Sequence, residues 1–512
     1  MAAGNRPWNR SARVRAAVFA AAIIIALPAS AGGVAPSYVT STGAIAGVSF
    51  VPIINSGDTA FGDLFEGIPD GIGAVSPVGG GHPTYVDVFV NHEQSRVPFS
   101  GFADFNDSSV TRVRLDIASK SITDMEVALP SSAGFIRFCS STLVSGGFAH
   151  PMLFTNEESN DPLNIPGGAT YGADPFYAPN SYRQAGYTVA LDTVTGDFAP
   201  IAGMGRHNHE NQVLVPGWDG TFAFLSGDDT FSAPGSQLYM YLADNGAAVL
   251  NDEGHLWGFQ VTAKNHHKVD PSDPFNHAND YLDVAPGDSV SGRFIQVPDD
   301  IAAGTTAAEP QAALEAWSNA NNVFQFVRVE DIAYDPDSPR TVYFADTGTT
   351  RLAESAATGR LVRLGSGGTN SNGRIFKMVL NKKDPTVVDS MTILVDADAI
   401  GMRNPDNVSI SHNSLMVQED PPSNAKVWMY SFGAGTWTHI ATANQPIAET
   451  SGIIDVSRWF GGGWWALDVQ SHINLPGSVP GLIYGGPGPS TGVTYTARRE
   501  DGQLLLMYVP GS

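Results

Sequence analysis

Short apolar runs, β-branched or aromatic, recur along the whole chain, while stretches with a helical 3.6-residue period are rare. Tyr85–Val90, Tyr187–Leu191, Thr221–Leu225, Thr341–Phe344 and Lys426–Tyr430 read as strands. The 55 Gly and 34 Pro are scattered rather than gathered into a linker, as turns between many strands require. One helix signal stands out at Glu309–Trp317, with Pro310 at its first position, and it reads as an insertion between strands. Asn265–Gly287 is polar and reads as a long surface loop. Regular βα alternation is missing, which argues against a doubly wound sheet or a TIM barrel. The expectation is an all-β fold, a sandwich or a β-propeller. A length of 512 residues favours the propeller, with long loop insertions and few short helices.

Six of the apolar runs end in oxygen ligands or a histidine. Val88–Val90 leads into Asn91-His92-Glu93, Met152–Phe154 into Asn156-Glu157-Glu158, and Phe222–Leu225 into Asp228-Asp229. Val342–Phe344 leads into Asp346, Leu415–Val417 into Glu419-Asp420, and Ala466–Val469 into Gln470-Ser471-His472. They lie about 50 to 120 residues apart, wider than a bare four-stranded repeat needs. In a propeller such ends would gather round one channel. Crowded carboxylates repel, and multivalent cations resolve that repulsion.

Charge supports the same direction. There are 51 acidic residues against 28 basic ones, a net charge of −23. A duplex nucleic acid calls for clustered Lys and Arg and is therefore not an expected partner. Calcium takes several oxygen ligands, which Glu157-Glu158, Asp228-Asp229, Glu330-Asp331 and Glu419-Asp420 could supply in pairs. EF-hand loops, His-Glu-x-x-His helices and nucleophile elbows are absent from the sequence. His207-Asn208-His209-Glu210 is the densest histidine segment; on a strand the two histidines share a face and Glu210 takes the other. Arg328 stands two residues before Glu330, on the same face of an extended strand, where a guanidinium could bind phosphate oxygens.

Arg6, Arg10, Arg13 and Arg15 precede an apolar run from Ala16 to Leu27 and the small-residue site Ala29-Ser30-Ala31. Residues 1–31 read as a signal peptide and 32–512 as one secreted domain, extracellular or periplasmic, with no stable membrane span. Cys139 is the single cysteine, so an intrachain disulfide is impossible. It is a buried small hydrophobe, a reactive thiol or a metal thiolate, the last suiting iron or zinc better than calcium.

Together these segments resemble the PhoX-type secreted alkaline phosphatases, in particular a branch with a Gly-Ile-Pro-Asp-Gly segment, here Gly67–Ala74. Asn91-His92-Glu93, Phe138-Cys139-Ser140, Asn156-Glu157-Glu158, Gly205–Asn211, Arg328–Pro336, Asp406-Asn407-Val408 and Gln418–Pro421 follow in family order. The resemblance implies a six-bladed propeller holding Fe3+ and Ca2+. It implies that Cys139 touches iron, and that Glu210 and Glu330 ligate iron or calcium. Glu157, Glu158, Glu419 and Asp420 would serve the metals, and Arg328 would bind phosphate. Asp228, Asp229, Asp331, Asp346 and Asp406 join them as candidate ligands, with Arg328 and Cys139 as the candidate catalytic pair. Three departures stand beside it. No lysine occurs from Ser121 to Ala263, where the family places one; the leader has no adjacent arginines; and Arg328-Val329-Glu330-Asp331 replaces Arg-Pro-Glu-Asp. The expected function is metal-dependent hydrolysis of a small phosphorylated substrate by a monomer. The rivals are a noncatalytic calcium-stabilised binding or adhesion propeller, and a lactonase-like hydrolase with Trp459, Phe460, Trp464 and Trp465 as an apolar wall.

Overall fold

The computed structural model describes residues 34–76, 83–94, 108–160, 162–163, 183–230, 235–305, 309–421, 423–474 and 500–512. The export segment 1–31 lies outside the described residues. Strands dominate, and the longest helix among the described residues is Pro310–Ala320, with Pro310 in its first turn as expected. No helix among the described residues is long and apolar enough to cross a membrane.

The sheets are built from antiparallel groups of four. The first contains Pro69–Val75, Tyr85–His92, Ser109–Asp116 and Ile122–Leu129. The second contains Phe138–Val144, Met152–Glu157, Thr188–Asp192 and Phe198–Ile201. His209–Val215, Phe222–Asp228, Leu238–Ala243 and His255–Lys264 form the third, and Val329–Asp335, Ser338–Asp346, Arg374–Leu380 and Val387–Asp396 the fourth. Ser289–Gln296 pairs with the outer strands of both, and the short strand His267–Lys268 pairs with His255–Lys264, which makes one ten-stranded sheet. The fifth group, Pro405–Ile410, Ser414–Glu419, Lys426–Ser431 and Thr436–Ala443, gains Val39–Ser41 at its edge. In the last, Ala448–Asp455, Trp464–Asn474 and Glu500–Tyr508 are completed by Ser49–Asn55 from the start of the described chain. That pairing closes the architecture by tying both ends of the chain into one sheet.

The first strand of each group lies against the first strand of the next, and Ala448–Asp455 returns to Pro69–Val75. Six first strands therefore surround one axis. Apolar clusters fill the spaces between consecutive groups. Phe89, Phe138 and Leu153 pack between the first and second, Phe154 and Phe224 between the second and third, and Leu225 and Phe344 between the third and fourth. Tyr343 and Val417, then Met416 and Trp465, then Ala466 and Val88, continue the cycle. Both faces of each sheet are covered in this way, which explains why many strands are apolar on alternate residues in both directions.

Candidate metal centre

The same backbone device recurs where each first strand begins. Ile68, Arg137, Arg328, Asn404 and Ile447 stand immediately before five of these strands, with φ between 48° and 68°. A left-handed conformation costs an L-residue about 1–2 kcal/mol. Each of these residues, and Asn208 before the third strand, accepts through its carbonyl the N–H of a residue at the end of the neighbouring second strand. The donors are Glu93, Glu158, Asp229, Thr347, Asp420 and His472, at 2.9 or 3.0 Å. Strain of this kind persists only where the surroundings hold it, and it gathers at functional sites.

The second residue of each first strand is an acid or the thiol: Asp70, Cys139, Glu210, Glu330, Asp406 and Glu449. A register shift next to it interrupts pairing with the second strand in five of the six groups; in the last, Glu449 pairs with Gln470 and the shift falls after Ser451. In the Glu330 strand, Val329 pairs with Asp346 and Ile332 with Phe344, so Glu330 and Asp331 together oppose Ala345. Such a bulge re-aims a side chain. Gly71 belongs to the same device, since a Cβ there would lie 2.4 Å from the Ser141 nitrogen of the next first strand.

These side chains converge. Asp70, Glu93 and Cys139 bring ligand atoms within 4.8 Å of one another, as do Cys139, Glu158 and Glu210, and Glu210, Glu330 and Asp406. Cys139 and Glu210 are shared, so the three sets form one continuous run of donors. The Cys139 Sγ lies 3.2 Å from Asp70 Oδ2 and 3.1 Å from Glu210 Oε1. Asp70, Cys139, Glu158, Glu210 and Glu330 are buried, while Glu93, Asp406, Asp420 and Glu449 are partly open to solvent. A fourth set, His277, Asp283 and Glu354, is apart from this run, with His277 exposed and the two acids half-buried.

Burial, then mutual repulsion, pushes the carboxyls of Asp70, Glu210 and Asp406 far above the usual range. Burial does the same to Glu158, Glu330 and Asp420, against the partial relief of Arg137 or Arg328. The Cys139 thiol is raised by burial and by the surrounding carboxylates. Glu449 and His472 go the other way. Although burial opposes both charges, the hydrogen bond with Asp420 and then His472 hold Glu449 at about 2, and Glu449 with Glu500 lifts His472 to about 11. His472 Nδ1 donates to Glu500 Oε2 at 2.7 Å.

Of the residues singled out in the sequence, the structure brings Cys139, Glu158, Glu210, Glu330 and Asp406 into the donor run, with Asp420 hydrogen-bonded to Glu449 beside it. Asp229 is gripped by Arg328, whose Nε and Nη2 donate to its two oxygens at 2.8 and 3.1 Å. Arg328 stands outside the extended strand, at φ 68°, yet still reaches Glu330 at 3.2 Å. The other member of each acidic pair turns to backbone. Glu157 accepts from the N–H groups of Ile136, Gly186 and Tyr187. Asp331 accepts from Ile332 and from Val408 of the next group. Asp346 accepts from Val327 and Gly348, and Glu419 from Arg403, Lys426 and Trp428 Nε1. Asp228 accepts from the Thr230 hydroxyl. Neighbouring side chains on a strand point to opposite sides, so a pair of acids divides its labour. Glu157→Ala is expected to destabilise the fold by about 4 kcal/mol through three orphaned buried donors. Denaturant titration measures it, and retained cation content separates it from a change at Glu158.

Asp70, Glu93 and Glu449 were not among the residues selected from the sequence. Glu93 carries the strand-end signal and Asp70 lies in the Gly67–Ala74 segment; Glu449 carries only the position it shares with Glu210, which needs the six strands aligned. His207 and His209 stack at 3.5 Å, and burial lowers both, His209 to about 3. His209 bridges Ser226 Oγ and the Gly205 carbonyl, a neutral structural role. Of the four aromatics expected to build a wall, Trp459, Phe460 and Trp464 pack against one core cluster, Trp459 also lines a cavity, and Trp465 is buried with Nε1 donating to Ser512 Oγ. That cavity, about 350 Å³, is bounded by the later residues of the first strands, including Ser141, Asn211 and Asp331.

A family model described as Alkaline phosphatase PhoX matches residues 150–455. The chain belongs to this family. Most of the donor run falls inside the matched span, while Asp70, Glu93 and Cys139 precede it. No curated protein sequence matches the chain. Among solved structures, Pseudomonas fluorescens PhoX in complex with vanadate, a transition state analogue, is 13% identical with a TM-score of 0.58. The match covers 92% of this chain and 96% of that one, so the PhoX fold extends over nearly the whole length. The periplasmic gluconolactonase PpgL of Pseudomonas aeruginosa is 12% identical over 70% of this chain and 82% of that one, with a TM-score of 0.31. An α-L-arabinofuranosidase of Fusarium graminearum is 7% identical over 91% and 98%, with a TM-score of 0.39.

Proposed function

We propose that the chain is an exported six-bladed β-propeller, residues 32–512 after removal of 1–31, that hydrolyses phosphoric esters with cations held on its axis. The observation that carries this reading is the recurrence of an acid or thiol at the second position of all six first strands, in a member of the PhoX family. The Gly67–Ala74 segment supports placement in the branch named above.

The donors fit a transition-metal ion and an oxygen-bound cation side by side. Asp70 Oδ1 is buried without a hydrogen-bond partner, and the neighbouring carboxyls repel one another. Cys139, flanked by Asp70, Glu158 and Glu210, offers a thiolate with carboxylates, which suits Fe3+. Glu210, Glu330 and Asp406 offer oxygen alone, which suits Ca2+. When bound, such ions supply Lewis acidity towards phosphoryl oxygens and lower the pKa of coordinated water.

The chain's own residues do the remaining work. Asp229 and Glu330 hold the Arg328 guanidinium at the edge of the ring, where it would orient phosphate oxygens and meet charge developing in the transition state. The partly open side, bounded by Asp406, Asp420 and Glu449, would admit the substrate. Asp331 and Glu157 keep the strands in register beneath the donors.

The test is hydrolysis of p-nitrophenyl phosphate and bis-p-nitrophenyl phosphate by protein loaded with iron and calcium, its content measured by elemental analysis. Turnover that falls at least 100-fold in Cys139→Ser is expected. Full iron and calcium occupancy without turnover would exclude these ester classes. Calcium alone, after reconstitution with iron, would favour a noncatalytic binding propeller.

A further inference from the structure

We infer that Arg137 is a second oxyanion-binding residue, the positional counterpart of Arg328, so that the two guanidiniums grip a phosphoryl group from either side of Glu210. This rests on the phosphoesterase reading above and specifies its substrate site.

The two arginines occupy equivalent places. Each stands immediately before a first strand, each has a left-handed backbone, at φ 51° and 68°, and each precedes a donor-run residue by two positions: Cys139 and Glu330. Each carbonyl accepts the N–H at the end of its own second strand, Glu158 for Arg137 and Thr347 for Arg328, at 2.9 Å. Each guanidinium reaches back to the acid at the second-strand end of the preceding group. Arg137 Nε lies 3.4 Å from Glu93 Oε1, and Arg328 Nε lies 2.8 Å from Asp229 Oδ1. Their side chains are similarly accessible, 14% and 18%.

The backbone device does not require arginine. Ile68, Asn208, Asn404 and Ile447 make the same carbonyl contact in the other four groups. Two of these are uncharged and apolar, so positive charge at the second and fourth groups answers another need. Those groups flank the third, whose Glu210 belongs to two of the donor sets. Glu158 feels the charge of Arg137 and those of Asp229 and Glu330, the acids held by Arg328. The planar fork of a guanidinium matches two oxygens of a phosphoryl group. Inorganic phosphate and vanadate present that geometry.

The test uses full-length, iron- and calcium-loaded protein, with binding of inorganic phosphate and orthovanadate measured by calorimetry. Arg137→Gln is expected to weaken both by roughly 10- to 100-fold, the loss of a charge-assisted contact. Arg137→Lys recovers part of it, and cation content stays that of the wild type. Arg328→Gln gives a loss of similar size. Unchanged oxyanion binding in Arg137→Gln, beside a loss in Arg328→Gln, overturns the inference while leaving the phosphoesterase reading intact. Loss of cations from Arg137→Gln also overturns it, by making Arg137 a prop for Glu93. Wild-type protein that is fully loaded yet binds neither oxyanion removes the reading beneath it.

Discussion

Chelation of the cation-loaded protein is expected to lower its thermal transition by roughly 10 °C at pH 8, and by much less at pH 5. Three cation sites, one for each converging set of donors, would contribute about 4 kcal/mol apiece when each ion is held at a thousand times its dissociation constant. An unfolding entropy of about 2 cal/mol/K per residue converts that sum to roughly 10 °C for a chain of this length. The pH dependence follows from the carboxyls. Asp70, Glu158, Glu210, Glu330, Asp406 and Asp420 have folded-state values raised by burial, and unfolded values of about 4. Without cations, a raised carboxyl contributes stability that is complete below the unfolded value and disappears as pH rises through the folded one. The chelated protein therefore weakens from about pH 4 upwards. The loaded protein keeps these groups ionised against bound cations and escapes that loss. Glu449 and His472 contribute in the opposite sense: Glu449 is lost only as pH falls towards about 2, and His472 only as pH rises towards about 11. Scanning calorimetry across pH 5–8, with and without chelator, measures the gap. A gap that is absent, or that narrows as pH rises, would contradict a cation-filled ring.

Glu210→Gln is expected to change sign with cation loading. Glu210 is shared by two donor sets, and Glu330, Asp406, Glu158 and Asp70 all repel its charge. In chelated protein at pH 8 the substitution removes one of these mutually repelling acids and should stabilise the fold by roughly 1–3 kcal/mol. In loaded protein it removes a ligand from two sites, abolishes much of the cation-dependent stabilisation, and lowers phosphoester hydrolysis at least 100-fold. Urea titration with and without cations, beside an activity assay, measures all three effects. Glu157→Ala is the contrast, since orphaned backbone donors destabilise the fold in either state. Equal destabilisation of Glu210→Gln with and without cations would make Glu210 a structural acid.

The acidic doublets mark how far residue patterns reach. Glu157-Glu158, Glu330-Asp331 and Glu419-Asp420 are plain as sources of oxygen, but alternation along an extended chain sends only one of each pair towards the axis. Which one depends on the bulge and on the backbone groups waiting on the other side. Asp331 turns away because the Val408 N–H of the next group needs an acceptor, and Glu157 because Ile136, Gly186 and Tyr187 do. The histidine segment divides similarly. His207 and His209 pack as neutral rings, while Glu210 continues to the axis.

Residue patterns alone were enough for the all-β character, the helical insertion at Pro310, and the recurrence of acids at strand ends. Each is a local matter of side-chain period, turn chemistry or a fixed φ. They also made Cys139 stand out, since a lone thiol needs no partner to be noticed. Only the tertiary structure decided that Asp70 and Glu449 belong with Glu210, although hundreds of residues separate the first two. Closing the ring of first strands, with Ser49–Asn55 completing the last sheet, brings equivalent positions to one axis. The separation of donors from backbone anchors was decided there too. A carboxylate's direction is set by the bulge beneath it and the N–H groups of the neighbouring sheet, and neither is a property of its own segment.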